Sequence, residues 1–247
     1  MARKIEKTRV AVVTGGTRGI GASISALLSE FGYKVAATYM GNDKAAEAFC
    51  AKTRIEAVYK FDVSDYDACA ANIRRIENDL GPVDVLVNNA GITRDVFLHK
   101  MTPQQWHDVI HTNLDSVFNM SRLVVGGMRD RGFGRIISIS SINGLSGQVG
   151  QTNYAAAKAG IVGFSKSLAL EVAAKGVTVN VIAPGYIDTE MVRAVEPSIL
   201  EKIVAKIPVK KLGSAESIAR LVAFLADDDN VFTTGATFNI NGGQYMG

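Results

Sequence analysis

Val10-Ala11-Val12-Val13-Thr14-Gly15-Gly16-Thr17-Arg18-Gly19-Ile20-Gly21 is the stretch that decides the fold. A short apolar run of β type, 10–14, passes through a glycine cluster straight into a helical pattern, 20–31. Glycine permits the tight turn and lets the backbone come close to a ligand. With a strand before it and a helix after it, such a loop suits a pyrophosphate at the helix N-terminus. Outward from this point, short β-type runs alternate with longer helical ones. The runs 34–39, 57–61, 83–88, 135–140, 178–183 and 237–240 read as strands. Helical patterns cover 44–54, 66–80, 103–128, 152–174 and 215–227. Thr102-Pro103 marks one helix start, an N-cap followed by proline at the first helical position. Val83-Asp84-Val85-Leu86-Val87 is apolar almost throughout, as a strand covered on both faces requires. The alternation implies right-handed βαβ units. The expectation is one α/β domain over 1–247, a doubly wound parallel sheet of seven strands with helices on both faces. Residues 184–213 show no regular pattern and are long enough to form a substrate lid.

Composition narrows the classes. The chain has 247 residues, 47% hydrophobic and 21% charged, enough for a continuous buried sheet without a second domain. A net charge of +3 and the lack of any long Lys/Arg run speak against a nucleic-acid partner. Cys50 and Cys69 fall in separate helical patterns without Cys-x-x-Cys spacing and read as reduced packing residues. Residues 1–7 are basic, but the apolar run behind them is too short for a signal-peptide core. No apolar run approaches the roughly 18 residues of a membrane span. A cytoplasmic protein with no membrane partner is expected. His107-Asp108-Val109-Ile110-His111 places two histidines one turn apart, yet it has Asp where a zinc-protease helix needs Glu and no evident third ligand. No metal is expected there. Asn119-Met120-Ser121 fits a glycosylation triplet that has no meaning in a cytoplasmic helix.

Ligands of an open parallel sheet sit at the carboxyl ends of its strands. After the first strand come Gly15, Thr17, Arg18, Gly19, Ile20 and Gly21 as candidate diphosphate contacts. The second strand ends in Ala36-Ala37-Thr38-Tyr39-Met40-Gly41-Asn42, without the carboxylate that often holds ribose hydroxyls. Arg18 projects from the glycine loop where a 2′-phosphate would lie, with Lys44 a weaker candidate. The two observations favour NADPH over NADH. Asp62-Val63 closes the third strand, and Asp62 reads equally as an acceptor for an adenine amino group or as a helix-start turn residue. Asn88-Asn89-Ala90-Gly91 closes the fourth and suits a loop whose backbone lines a cofactor.

Ser140-Ser141 closes the fifth strand, and Ser141 lies thirteen residues before Tyr154. Within Gly150-Gln151-Thr152-Asn153-Tyr154-Ala155-Ala156-Ala157-Lys158, Tyr154 and Lys158 fall four apart, on one face of a helix. A phenol alone titrates near ~10, too high for acid–base work at neutral pH. A neighbouring ammonium favours the phenolate and lowers that barrier. Asn113 interrupts an apolar helical pattern, and a buried Asn needs partners there, either a water chain or the backbone.

Taken together, Thr14-Gly15-x-x-x-Gly19-x-Gly21, Asn88-Asn89-Ala90-Gly91, Asn113, Ser141, Tyr154-x-x-x-Lys158 and Pro184-Gly185 resemble the short-chain dehydrogenase/reductase family. The resemblance covers essentially the whole chain. It implies a Rossmann fold carrying one extra strand, and usually a homotetramer. It also assigns roles: Tyr154 as proton donor, Lys158 lowering its pKa and binding the nicotinamide ribose, Ser141 orienting the substrate carbonyl. Asn113 would hold the water linking Lys158 to solvent. Asn89, Ala90, Gly91, Pro184, Gly185, the backbone of Ile187 and Thr189 would complete the cofactor site.

In such chemistry negative charge grows on a ketone oxygen, and Ser141 and Tyr154 are placed to donate to it. Tyr154 then gives up its proton while Lys158 stabilises the phenolate. Substrate identity must come from residues near Tyr154 and beyond Pro184. Gln148, Gln151 and Tyr186 offer polarity suited to a small β-ketoacyl thioester. Arg193, Lys202, Lys206, Lys210 and Lys211 would either meet a phosphopantetheine phosphate or form a solvated face. Gly91-Ile92-Thr93-Arg94-Asp95, Gly134-Arg135-Ile136-Ile137 and Ile207-Pro208-Val209 resemble the 3-oxoacyl thioester reductases. Ser141-Ile142-Asn143-Gly144 with the run 147–154 looks closest to the acetoacetyl-CoA reductases, which supply (R)-3-hydroxybutyryl-CoA for polyhydroxyalkanoate (polyhydroxybutyrate) synthesis. That likeness implies Ser141, Gln148, Gln151, Tyr154 and Tyr186 as substrate contacts. The 3-oxoacyl-[acyl-carrier-protein] reductases of fatty acid synthesis share nearly every other motif, so a carrier-protein substrate stays open beside the favoured CoA thioester. A non-catalytic dinucleotide-binding regulator would typically have lost Tyr154 or Lys158.

Overall fold

The computed structural model describes residues 8–53, 55, 57–193 and 196–247. The basic start, 1–7, and Arg54, the expected end of a helix, lie outside the described residues. The first half runs β1 (Val10–Val13), α1 (Gly19–Glu30), β2 (Lys34–Tyr39), α2 (Asp43–Thr53), β3 (Val58–Lys60), α3 (Tyr66–Leu80) and β4 (Val83–Asn88). The second half begins with α4 (Pro103–Ile110), α5 (Ser116–Arg131), β5 (Gly134–Ile139), α6 (Ile142–Ser146), α7 (Thr152–Val172) and β6 (Val177–Pro184). It ends with α8 (Glu190–Arg193), α9 (Pro197–Lys206), α10 (Ala215–Ala226) and β7 (Thr237–Ile240). The seven strands form one parallel sheet in the order β3-β2-β1-β4-β5-β6-β7, the doubly wound, Rossmann-like arrangement expected.

Alternate strand residues feed opposite faces. Ala11, Val13, Val35, Val85 and Val87 pack with Ile24 and Leu28 of α1 and Ile218, Val222 and Leu225 of α10. Val12, Leu86, Ile136 and Val179 face the other way, onto Ile73 and Ile76 of α3, Met120 and Val124 of α5, and Val172 of α7. Each of these large side chains contributes roughly 1.5–3 kcal/mol by leaving water. The order of strand addition reverses between β1 and β4, so the connections behind those parallel strands run to opposite faces and open a crevice at the carboxyl edge.

Two expectations change. The helical pattern 103–128 is not one helix. A capping box between Thr102 and Gln105 starts α4 as anticipated, but a π turn, His111–Asp115, separates it from α5. The π turn holds one residue more than an α turn, and it places Asn113 inward and buried. The stretch 184–213 is not irregular throughout. Glu196 accepts from Ser198 N–H and Pro197 takes the first position of α9, which ends at the buried Ile207. A parallel bridge between Ile187 and Gly213 closes this arm at its base. No described helix is long and apolar enough to cross a membrane.

Candidate active site

The glycine loop and the loop behind β4 are tied together. Thr14 N–H donates to Val87 O (3.0 Å), and Thr14 Oγ1 accepts from the N–H groups of Asn89 (2.9 Å) and Ala90 (3.0 Å). Asn89 Nδ2 donates to Thr14 O (2.9 Å) and Gly15 O (3.2 Å). Gly15 adopts φ +61°, and a β-carbon at Gly21 would sit 2.1 Å from Gly15 O, so only glycine lets α1 start this close to the turn. The first turn of α1 carries no acid, and its N-cap residue, the exposed Arg18, makes no side-chain cap. Its N–H groups are left for an anion, so these residues fit a dinucleotide diphosphate. Beyond β2, Asp43 accepts from Lys60 Nζ (2.8 Å). Asp62 Oδ1 accepts from the N–H (2.8 Å) and Oγ (2.7 Å) of Ser64, the turn role at that oxygen. Val63 is buried, and its carbonyl accepts from Asn119 Nδ2 (3.0 Å).

Ser141 is the N-cap of α6, its Oγ accepting from Asn143 N–H (3.1 Å), and its hydroxyl lies near enough to the Tyr154 phenol, in the first turn of α7, to act on its pKa. Lys158, one turn on, is 4% exposed. Its Nζ donates to Ile139 O (2.7 Å), while Ser140 Oγ donates to Lys158 O (2.7 Å), so the end of β5 and α7 hold each other. The ammonium stands 5.6 Å from the Tyr154 ring centroid. Burial pushes the Tyr154 phenol above its ordinary value; the nearby Ser141 hydroxyl pulls the other way and the Asp95 charge adds to the rise. Burial pushes Lys158 down to about 8. In this arrangement Lys158 is directed at Ile139 O, and the phenol stays protonated at neutral pH. Asn113 brackets Ile92, accepting from its N–H (2.8 Å) and donating to its carbonyl (2.9 Å). A β-carbon on Gly91 would meet Asn113 Oδ1 at 3.2 Å and Lys158 Nζ at 3.6 Å, which places both groups around one point.

The arm beyond β6 reaches across this edge. Gly185 N–H donates to Ile240 O (3.1 Å). The bridge at Gly213 uses Tyr186 O and Asp188 N–H, leaving the N–H and C=O of Ile187 itself outside it. A β-carbon on Gly19 would lie 3.8 Å from Thr189 Cγ2, so the arm lies over the glycine loop. Arg193 is paired with Asp188 (2.6 and 2.9 Å), and Lys210 Nζ donates to Ala205 O (2.6 Å). Gln151 does not stand free: its Nε2 donates to Asp95 (2.7 Å) and its Oε1 accepts from Asn143 Nδ2 (2.9 Å). Gln148 is exposed, and the Asp95 charge raises the half-buried Tyr186 phenol along with burial. Asp95 and Asn143 had no assigned role from sequence, because their contacts span 56 and 8 positions and leave no local pattern. The His107 and His111 rings lie 5.7 Å apart and tilted, and among the described residues no three metal-ligating side chains gather.

A phenol, a hydroxyl and a buried ammonium beside a dinucleotide cradle define a nicotinamide-dependent oxidoreductase acting on a CH–OH group. A family model described as enoyl-(acyl carrier protein) reductase matches residues 15–244, and the chain belongs to this short-chain dehydrogenase/reductase family. Among individual proteins, it is 62% identical to the acetoacetyl-CoA reductase of Shinella zoogloeoides over 240 residues, 97% of this chain and 99% of that one. The acetoacetyl-CoA reductase of Rhizobium meliloti (strain 1021) gives the same identity and coverage. The 3-oxoacyl-[acyl-carrier-protein] reductase FabG of Escherichia coli (strain K12) is 45% identical over 238 residues, 96% of this chain and 98% of its own.

Proposed function

We propose that this protein reduces acetoacetyl-CoA to (R)-3-hydroxybutyryl-CoA with NADPH, Tyr154 supplying the proton. The observation that carries the reading is the Tyr154 phenol beside Ser141, with the buried Lys158 ammonium 5.6 Å from its ring, in a chain 62% identical to two acetoacetyl-CoA reductases. Gly15, Thr17, Gly19, Ile20 and Gly21 would hold the diphosphate, and Asp62 and Val63 the adenine. Asn89, Ala90, Gly91, Tyr154 and Lys158 would line the nicotinamide ribose, and Pro184, Gly185, Ile187 and Thr189 the carboxamide. A bound reduced nicotinamide supplies hydride to the substrate carbonyl carbon. As charge grows on the carbonyl oxygen, Ser141 and Tyr154 donate to it. The raised phenol pKa keeps Tyr154 protonated at neutral pH, the state a proton donor needs. Once the proton has left, Lys158 stabilises the phenolate, and Asn113 holds the water through which it is resupplied.

Preference for NADPH is supported by Arg18, exposed and making no side-chain cap at the start of α1, and by Asp43, whose carboxylate is engaged by Lys60. Gln148, Gln151 and Tyr186, with Asp95 beside them, face the thioester under a lid formed by 184–213. We place the protein in the cytoplasm as a homotetramer. The exposed apolar side chains Phe118, Leu170, Phe224 and Phe232 support subunit contacts. The second reading is reduction of 3-oxoacyl-carrier protein, favoured by the 45% identity to the E. coli FabG enzyme.

Steady-state oxidation of NADPH separates these readings, with acetoacetyl-CoA, acetoacetyl-carrier protein and crotonyl-CoA as substrates and NADH as control cofactor. The expected result is the highest kcat/KM with acetoacetyl-CoA and NADPH, and no turnover after Tyr154→Phe although NADPH still binds. A far higher kcat/KM on the carrier protein selects the second reading. Turnover of crotonyl-CoA alone, or an active Tyr154→Phe variant, removes the ketone mechanism.

A further inference from the structure

Residues 150–153, just ahead of Tyr154, are stitched to the loop behind β4. Val96 N–H donates to Gly150 O (2.8 Å), Gln151 Nε2 to Asp95 (2.7 Å), and Asn153 Nδ2 to Arg94 O (3.3 Å). Asn153 Nδ2 also donates to Gln105 O in α4 (3.1 Å), and Asn153 Oδ1 accepts from Tyr154 N–H (2.8 Å). The side chain is fully buried, 0% exposed. One amide thus joins the loop, α4 and α7 at the residue before the phenol. The N-cap of α7, Gln151, supplies no side-chain cap. Asn153 therefore takes up one of the N–H groups that a helix start leaves unpaired, and that group belongs to Tyr154.

We propose that Asn153 is a positioning residue for the reaction, its side chain fixing the first turn of α7 so that the Tyr154 hydroxyl meets Ser141 and the substrate carbonyl. This rests on the reading of Tyr154 as proton donor. A buried amide satisfied at both ends is held firmly, and deleting it leaves the Arg94 and Gln105 carbonyls and the Tyr154 N–H short of a partner. A donor displaced by as little as an ångström loses much of its effect. The groups that face the phenol are Ser141 from the N-terminus of α6, Lys158 from α7 and Asp95 from the loop behind β4. Replacing Asn153 alters none of these three groups and changes no charge, so its loss reports on how the phenol is placed among them.

The test uses the full chain with NADPH and two variants, Asn153→Ala and Asn153→Ser. In Asn153→Ala we expect kcat to fall roughly 10- to 100-fold with NADPH affinity unchanged. The pH at which alcohol oxidation rises should move upward, because the displaced phenol moves away from the Ser141 hydroxyl that holds its pKa down. Asn153→Ser keeps a side-chain oxygen near Tyr154 N–H and should recover part of kcat. A purely structural role would lower Tm and leave the pH profile where it is. A folded Asn153→Ala with the parent kcat and pH profile overturns the inference, and so does failure of both variants to fold, which would assign Asn153 to the fold alone. If Tyr154→Phe is inactive while Asn153→Ala is unaltered, only the positioning role is lost. An active Tyr154→Phe variant removes the donor reading beneath it.

Discussion

Lys158 shows how a single residue trades stability for chemistry. Its ammonium is enclosed by protein, and its pKa of about 8 lies below the ordinary 10.5. Between those values the unfolded chain binds more protons than the folded one, so stability rises with pH across that window. Below about 8 both states are charged and the full cost of the buried ammonium is present. Lys158→Met should therefore stabilise the cofactor-free protein at pH 7 by on the order of 1–3 kcal/mol, the bond to Ile139 O offsetting part of the gain. Turnover should vanish. Calorimetry at pH 7 and again near 10 checks the sign, since the gain must shrink as the pH climbs. A variant less stable than the parent at pH 7 would contradict it.

Among the elements, α6 and α7 pack with little tolerance. A β-carbon on Gly144 would stand 2.7 Å from Lys158 Cβ and 2.8 Å from its backbone carbonyl carbon. Gly144→Ala must push α6 away from α7, and Ser141, the N-cap of α6, moves with it. We expect a loss of about 1–3 kcal/mol in stability and a fall in kcat of roughly tenfold or more, with NADPH binding kept. Thermal melts, steady-state kinetics and fluorescence titration separate the three effects; unchanged kcat would show that α6 adjusts freely. Elements of this kind differ in how plainly the sequence announces them. The strand at 83–88 and the helix at 66–80 are read to the residue because burial on both faces and a strong apolar period leave no other choice. The π turn at Asn113 escapes because one extra residue hardly disturbs the period. Helix α9 escapes a reading of the pattern although Glu196-Pro197 carries a start signal, since its apolar residues lie on an exposed arm. Tyr154, Lys158 and Ser141 are legible from spacing. Asp95, Asn143 and Asn153 are not, because side-chain bonding to a distant loop leaves no trace in local pattern.

For the whole molecule, the two edges of the sheet do different work. The carboxyl edge carries every residue of the candidate site. At the opposite edge Arg9 pairs with Asp228 (2.8 Å) and Asp84 (3.5 Å), and the guanidinium groups of Arg9 and Arg135 both stand over the Phe133 ring, 3.4 and 4.3 Å from its centroid. Arg135, 1% exposed, donates to the carbonyls of Gly134, Gly176, Asp227 and Asp228. It fastens β5 and the start of β6 to the turn behind α10, and burial lowers its pKa. Arg135→Met should cost about 3–5 kcal/mol by leaving those carbonyls unpaired, and Arg135→Lys should not restore it, having no planar fork. The folded fraction should keep its kcat/KM; chemical denaturation combined with kinetics decides this, and a change in kcat/KM would show that the edges are coupled. Distance between these two edges has a practical outcome. A selection for heat tolerance and a selection for new thioesters would draw on separate sets of residues, so winners from each can be combined in one chain with their gains nearly additive.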